Sequence, residues 1–132
     1  RDTLYRAAER LRLVQIENRD AFQLIKEFDR GEETLFYLDP PYVGSTREDR
    51  KRYSYEMPDE KHAELAALLY EVKSNVVLSG YDCELYQELF EKKGWRKFNK
   101  RANVNGGAER TESLWLSPQT YEIWRLQMLC KE

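Results

Sequence analysis

Cysteine and histidine are nearly missing from this chain: Cys83, Cys130 and a single His62 are all that occur in 132 residues. That is too few for a disulfide framework or a metal cluster, and a reducing cytoplasm is the default for such a sequence. His62 falls in DEKHAELAALL, near an expected helix start, and reads as a solvated helix residue. Long apolar runs are absent as well. None approaches a membrane span, and the N-terminal RDTLYRAAER does not read as a signal peptide. Positive charge is not in excess, because 22 Lys and Arg face 24 Asp and Glu for a net charge of -2. That argues against a chain gripping DNA through overall charge. What is present is 41% hydrophobic residues, enough for one modest core in one domain or less.

Strand and helix patterns alternate along the chain. Leu4, Ala8 and Leu11 fall at helical spacing and precede an expected strand at Leu13–Ile16. Phe22, Ile25 and Phe28 suit a helix that Gly31 punctuates, and Leu35–Leu38 follows as a buried strand. After a polar loop, Pro58 and Asp59 open a helix whose Leu65, Leu68, Leu69 and Val72 repeat with helical period. Val76–Ser79 reads as the next buried strand and Glu84–Lys93 as a helix stopped at Gly94. Trp95–Phe98 and Leu114–Leu116 read as a closing antiparallel pair. The expected fold class is α/β, with a doubly wound, mainly parallel sheet whose site lies at the carboxyl ends of its strands. The tail, Gln119–Glu132, carries Tyr121, Trp124 and Met128 on one side of a helix that packs on the sheet.

The chemistry concentrates in LFYLDPPY, Leu35 to Tyr42. An apolar, β-prone run ends abruptly at Asp39-Pro40-Pro41-Tyr42. Each proline fixes its own φ, lacks a backbone N–H and holds the preceding residue extended. The Asp39 carboxylate and the Pro40 carbonyl are thus stiff acceptors beside the aromatic face of Tyr42. Such a set suits an exocyclic amino group on a planar ring. The lone pair of that nitrogen is delocalised into the ring, and two acceptors on its hydrogens would free it for attack on an electrophilic methyl. They would also stabilise the positive charge that develops. Tyr42 would hold the base by stacking once it is rotated out of a helix.

Together with LVQIENRDAFQLI, Tyr53, Tyr55, VVLSGYD at 76–82 and NVNGGAERTESLWLSP at 103–118, this motif resembles the DNA adenine-N6 methyltransferases of the Dam type. The resemblance runs from about Leu13 to Pro118, in the family's order and spacing. It implies a Rossmann-like methyltransferase fold, S-adenosylmethionine as methyl donor and double-stranded DNA as substrate. Asp39, Pro40, Pro41 and Tyr42 would be catalytic. Asp20, Ala21 and Phe22, with Asp39, would lie near the cofactor, although Asp20 also suits a helix N-cap. Tyr53 and Tyr55 would sit in a loop over the substrate, and Asn105 and Arg110 close to the DNA. Seven basic residues lie between Lys92 and Arg110, and Lys97, Lys100 and Arg101 among them are candidates for phosphate contact. A second basic group, Arg47, Arg50, Lys51 and Arg52, follows the motif.

One departure from the family pattern is large. No glycine here stands in the F-x-G-x-G setting that cradles the methionine part of the cofactor. The acid that grips its ribose and most of the DNA-recognition region are also missing. Residues 1–132 therefore read as the C-terminal portion of one catalytic domain, inactive alone, with 119–132 outside the resemblance. Without the family's first two strands, Leu35–Leu38 would expose an apolar edge. The chain would fill it by self-association, by moving its own first strand there, or by docking on a partner. Two other readings compete. Ribosomal-RNA guanine-N2 methyltransferases share the D-P-P-aromatic motif, and a DNA-binding remnant without catalysis would keep this half of the fold.

Overall fold

A computed structural model describes residues 2–44, 57–103 and 109–130. The elements are α1 (Asp2–Leu11), α2 (Ala21–Phe28), β1 (Leu35–Leu38), α3 (Asp59–Glu71), β2 (Asn75–Tyr81), α4 (Glu84–Leu89), β3 (Arg96–Asn103), β4 (Glu109–Leu116) and α5 (Pro118–Leu129). A 3-10 turn, Glu91–Lys93, follows α4. It ends at Gly94, whose φ of 87° lies in the left-handed region that glycine enters without steric cost. Asp20 caps α2 by accepting from the Gln23 amide at 3.1 Å. Ser117 caps α5, and Pro118 takes the first-turn position where a missing N–H costs nothing.

The four strands form one sheet in the order β1-β2-β4-β3. β1 runs parallel to β2, while β4 is antiparallel to both β2 and β3. The expected α/β class holds, but the described sheet has one parallel and two antiparallel pairings rather than a parallel majority. Strand alternation sorts side chains between the two faces. Phe36, Leu38, Val76, Leu78 and Trp115 share one face through the registers Phe36↔Val76, Leu38↔Leu78 and Leu78↔Trp115. They pack with Ile25 of α2, Leu65, Ala66 and Leu69 of α3, and Tyr86 and Phe90 from the α4 region. On the opposite face α5 lays Tyr121 and Trp124 against Phe98, with ring centroids 6.2 and 5.2 Å away. The tail helix thus packs on the sheet as its apolar spacing implied.

Three expectations are corrected. Leu13–Ile16 is not a strand: Leu13 is 97% and Ile16 90% exposed. A β-prone run acquires strand geometry only by pairing, and no described strand lies beside this one. β1 is not the buried strand that its apolar run implied; it forms the sheet edge and leaves Leu35 and Tyr37 largely exposed, the exposed edge expected in the absence of the family's first two strands. His62 is not solvated but 1% exposed, with its Nδ1 3.1 Å from the Tyr86 hydroxyl. The inward stripe of α3 is His62, Leu65, Ala66 and Leu69, so the helical period begins one turn earlier than the aliphatic residues alone suggest.

Candidate active site

β1 ends at Leu38, and Asp39 is the first residue beyond the ladder. The last register pair, Leu38↔Leu78, places Asp39 beside Ser79 of β2. The Ser79 hydroxyl donates to Asp39 Oδ1 at 2.7 Å. Two residues along the same face of β2, the ring of Tyr81 lies 4.3 Å from that of Tyr42, tilted by 47°. Thus β2 supports the motif at two points, its carboxylate and its aromatic ring. Around them opens a cleft of about 310 Å³, lined by Tyr37, Asp39, Tyr42, Ser79, Phe98, Glu112 and Leu114 with Gly80, Asn99 and Ser113. It offers two carboxylates, several aromatic walls and, among its described lining residues, no cation. Such a cleft accepts a planar ring with hydrogen-bond donors or a positively charged group.

The cleft floor is rigid because the core lies directly beneath it. A Cβ on Gly80 would stand 3.0 Å from Tyr86 Cε2 and 3.4 Å from Trp115 Cζ3. Tyr86 is 2% exposed and packs edge-on against His62, Phe90 and Trp115. Burial, aided by the nearby Cys83, Asp39 and Tyr42, pushes its hydroxyl far above the usual phenol range, so it stays protonated.

A second cleft, about 370 Å³, lies on the other side of β1. Ala21, Leu24, Ile25 and Phe28 of α2 face Phe36 and Leu38 across it, with Gln15 and Glu17 at the rim. The two clefts share β1 as a wall, since alternate residues of the strand line one and then the other. Ala21 and Asp39, grouped by sequence as cofactor neighbours, therefore line different clefts. Phe22 packs against the core with the Lys61 ammonium 5.6 Å above its ring, and Asp20 serves as the N-cap.

The basic residues separate likewise. Lys97, a candidate for phosphate contact, has its ammonium 3.0 Å from both Asp82 and Glu91 and a side chain only 18% exposed. Burial works against that charge, but its hydrogen bonds to Glu91 and Asp82 prevail and raise its pKa. Burial likewise pushes Asp82 upward, while bonds from Lys97 and Gln87 more than offset it and hold the carboxyl below the usual range. Lys97 is thus an internal tie between β3 and the α4 region. Lys100 and Arg101 lie in β3 opposite Glu112 and Thr111, and Arg110 lies in β4 opposite Ala102. Tyr53, Tyr55 and Asn105, and the basic group at 47–52, lie outside the described residues. Sequence reasoning missed Ser79 and Tyr81 as site residues. The signal was available, because VVLSGYD is a strand that ends beside the motif.

Residues 1–104 match the family of D12 class N6 adenine-specific DNA methyltransferases, and the chain belongs to that family. The match ends at residue 104, short of the Pro118 to which the motifs alone extended the likeness, so β4 and α5 lie beyond it. No curated protein sequence matches the chain.

Proposed function

We propose that the cleft at Asp39 receives an adenine rotated out of duplex DNA and presents its N6 for methylation, with S-adenosylmethionine as the donor. The arrangement of Asp39 on Ser79 and Tyr42 on Tyr81 at the end of β1 carries this reading. Asp39 and the Pro40 carbonyl accept the two amino hydrogens, which localises the nitrogen lone pair. Their negative charge offsets the positive charge that grows on that nitrogen. Tyr42 stacks on the base, and Pro41 keeps the turn stiff. The residues present suit the donor in part. The apolar wall beside Ala21, with Gln15 and Glu17 at its rim, fits a purine ring, and the Asp39 cleft fits a cationic centre. When bound, the donor supplies an electrophilic methyl group. Lys100, Arg101 and Arg110 contact phosphates in this reading, with Asn105 close to the DNA and Tyr53 and Tyr55 over the substrate.

Asp39→Ala tests the assignment. With a tritium-labelled methyl donor and an adenine-containing duplex, the rate of the full-length enzyme should fall by about two orders of magnitude, the scale for one preorganised electrostatic group. Activity within a few-fold of the unaltered protein would overturn it.

A further inference from the structure

We infer that Ser79 is a positioning residue for methyl transfer, acting through Asp39 rather than on the substrate. The inference rests on the proposed role of Asp39 and adds the origin of its orientation. Asp39 is exposed at a strand end, where a carboxylate rotates freely about χ1 and χ2 unless something holds it. The Ser79 hydroxyl, at 2.7 Å from Oδ1, is such a hold. Ser79 is itself fixed by β2, which is paired on both sides, with β1 and with β4. The donor therefore sits on an interior strand of the sheet, while the acceptor sits at the end of an edge strand.

The bond also divides the labour of the carboxylate. Oδ1 is engaged by Ser79, which leaves Oδ2 and the second lone pair of Oδ1 to an incoming amino group. A carboxylate has about four acceptor sites, so one serine does not compete with a substrate hydrogen. A freely rotating carboxylate would bind the same base in several poses and present N6 correctly in only a fraction of them. Loss of the hold should therefore reach turnover more than binding.

The experiment compares Ser79→Ala, Ser79→Thr, Asp39→Ala and the Ser79→Ala/Asp39→Ala double variant in duplex methylation by the full-length enzyme. Ser79→Ala should lower kcat about tenfold and leave KM for DNA within about twofold, the loss expected of one hydrogen bond to a charged acceptor. Ser79→Thr keeps the hydroxyl and should recover to within about threefold. In the Asp39→Ala background, Ser79→Ala should add nothing. Full activity of Ser79→Ala, failure of Ser79→Thr to rescue in a folded protein, or additivity with Asp39→Ala would overturn the inference. If Asp39→Ala itself is active, the proposed function fails first. A readout without turnover is the 13C signal of the Asp39 carboxyl carbon. It should move in Ser79→Ala and return in Ser79→Thr, and an Asp39 signal indifferent to both changes would also overturn the inference.

Discussion

Replacing Asp29 by alanine should cost this protein more stability than the loss of any other loop carboxylate among the described residues. Asp29 ends α2 and reaches 44 and 45 residues along the chain to the turn before β2. Its oxygens accept from the Lys73 amide at 3.0 and 3.1 Å, the Ser74 amide at 2.9 Å and the Ser74 hydroxyl at 2.6 Å. Lys73 is exposed, so water replaces its partner at little cost. Ser74 is 2% exposed, and its amide and hydroxyl would lose an ionised acceptor where water reaches poorly. Two such groups, at about 1–2 kcal/mol each, give a loss of about 2–4 kcal/mol. For a chain of this size the melting temperature should fall by roughly 10 °C, read by circular dichroism. Asp29→Asn, which keeps one acceptor oxygen, should lose about 1 kcal/mol. Burial pushes the Asp29 carboxyl upward, but bonds from Ser74, Lys73 and Gly31 prevail and hold it below its usual value. The stabilisation is therefore complete above the unfolded value of about 4 and fades as pH falls below it. A loss under about 0.5 kcal/mol at pH 7, or a loss that persists undiminished at pH 2, would refute the reasoning.

Gly80→Val sets strand propensity against packing. Valine favours a strand by up to about 1 kcal/mol, but its Cβ meets Tyr86 and Trp115 at 3.0 and 3.4 Å. A net destabilisation of about 1–2 kcal/mol in urea unfolding is expected, and a stabilised protein would show that the ring cluster yields. Lys97→Ala and the pair Lys100→Ala/Arg101→Ala should differ in kind. The first removes the cation that Asp82 and Glu91 share, and should lower stability and leave the salt dependence of DNA binding unchanged. The second should reduce the slope of log affinity against log salt by roughly 1 per lost phosphate contact. Equal salt slopes for both variants would remove β3 from the proposed DNA surface.

The parts legible in the sequence were those set by local pattern. The strand at Val76–Ser79, the stop at Gly94 and the end of the strand before Asp39 all reappear in the structure. What was hidden depends on who the neighbours are. Leu13–Ile16 carries strand propensity but pairs with no described strand, and the apolar run Leu35–Leu38 reads as buried on its own, its edge being legible only from the strands missing beside it. His62 extends an inward stripe that the eye begins at Leu65, because an imidazole does not advertise its burial. The run Lys92–Arg110 looked like one basic patch. A strand turns successive side chains to opposite faces, so Arg96 lies over Tyr121, 4.9 Å from its ring, while Lys97 points to Asp82 and Glu91. The link from Asp29 to Ser74 spans too much chain for any spacing rule to find.

The open side of β1 has a built-in end. Thr34 gives its carbonyl to the Asn75 amide at 2.9 Å, so Thr34, Phe36 and Leu38 direct their backbone groups toward β2. Leu35 and Tyr37, the alternate residues, turn theirs outward, where another strand could add. Such a strand would gain only a few rungs before reaching Pro40 and Pro41, which have no amide to offer. The prolines that stiffen the Asp39 turn therefore also act as a stop for any ladder that grows along this edge. An added strand can complete the sheet, but its backbone pairing cannot continue across the mouth of the cleft.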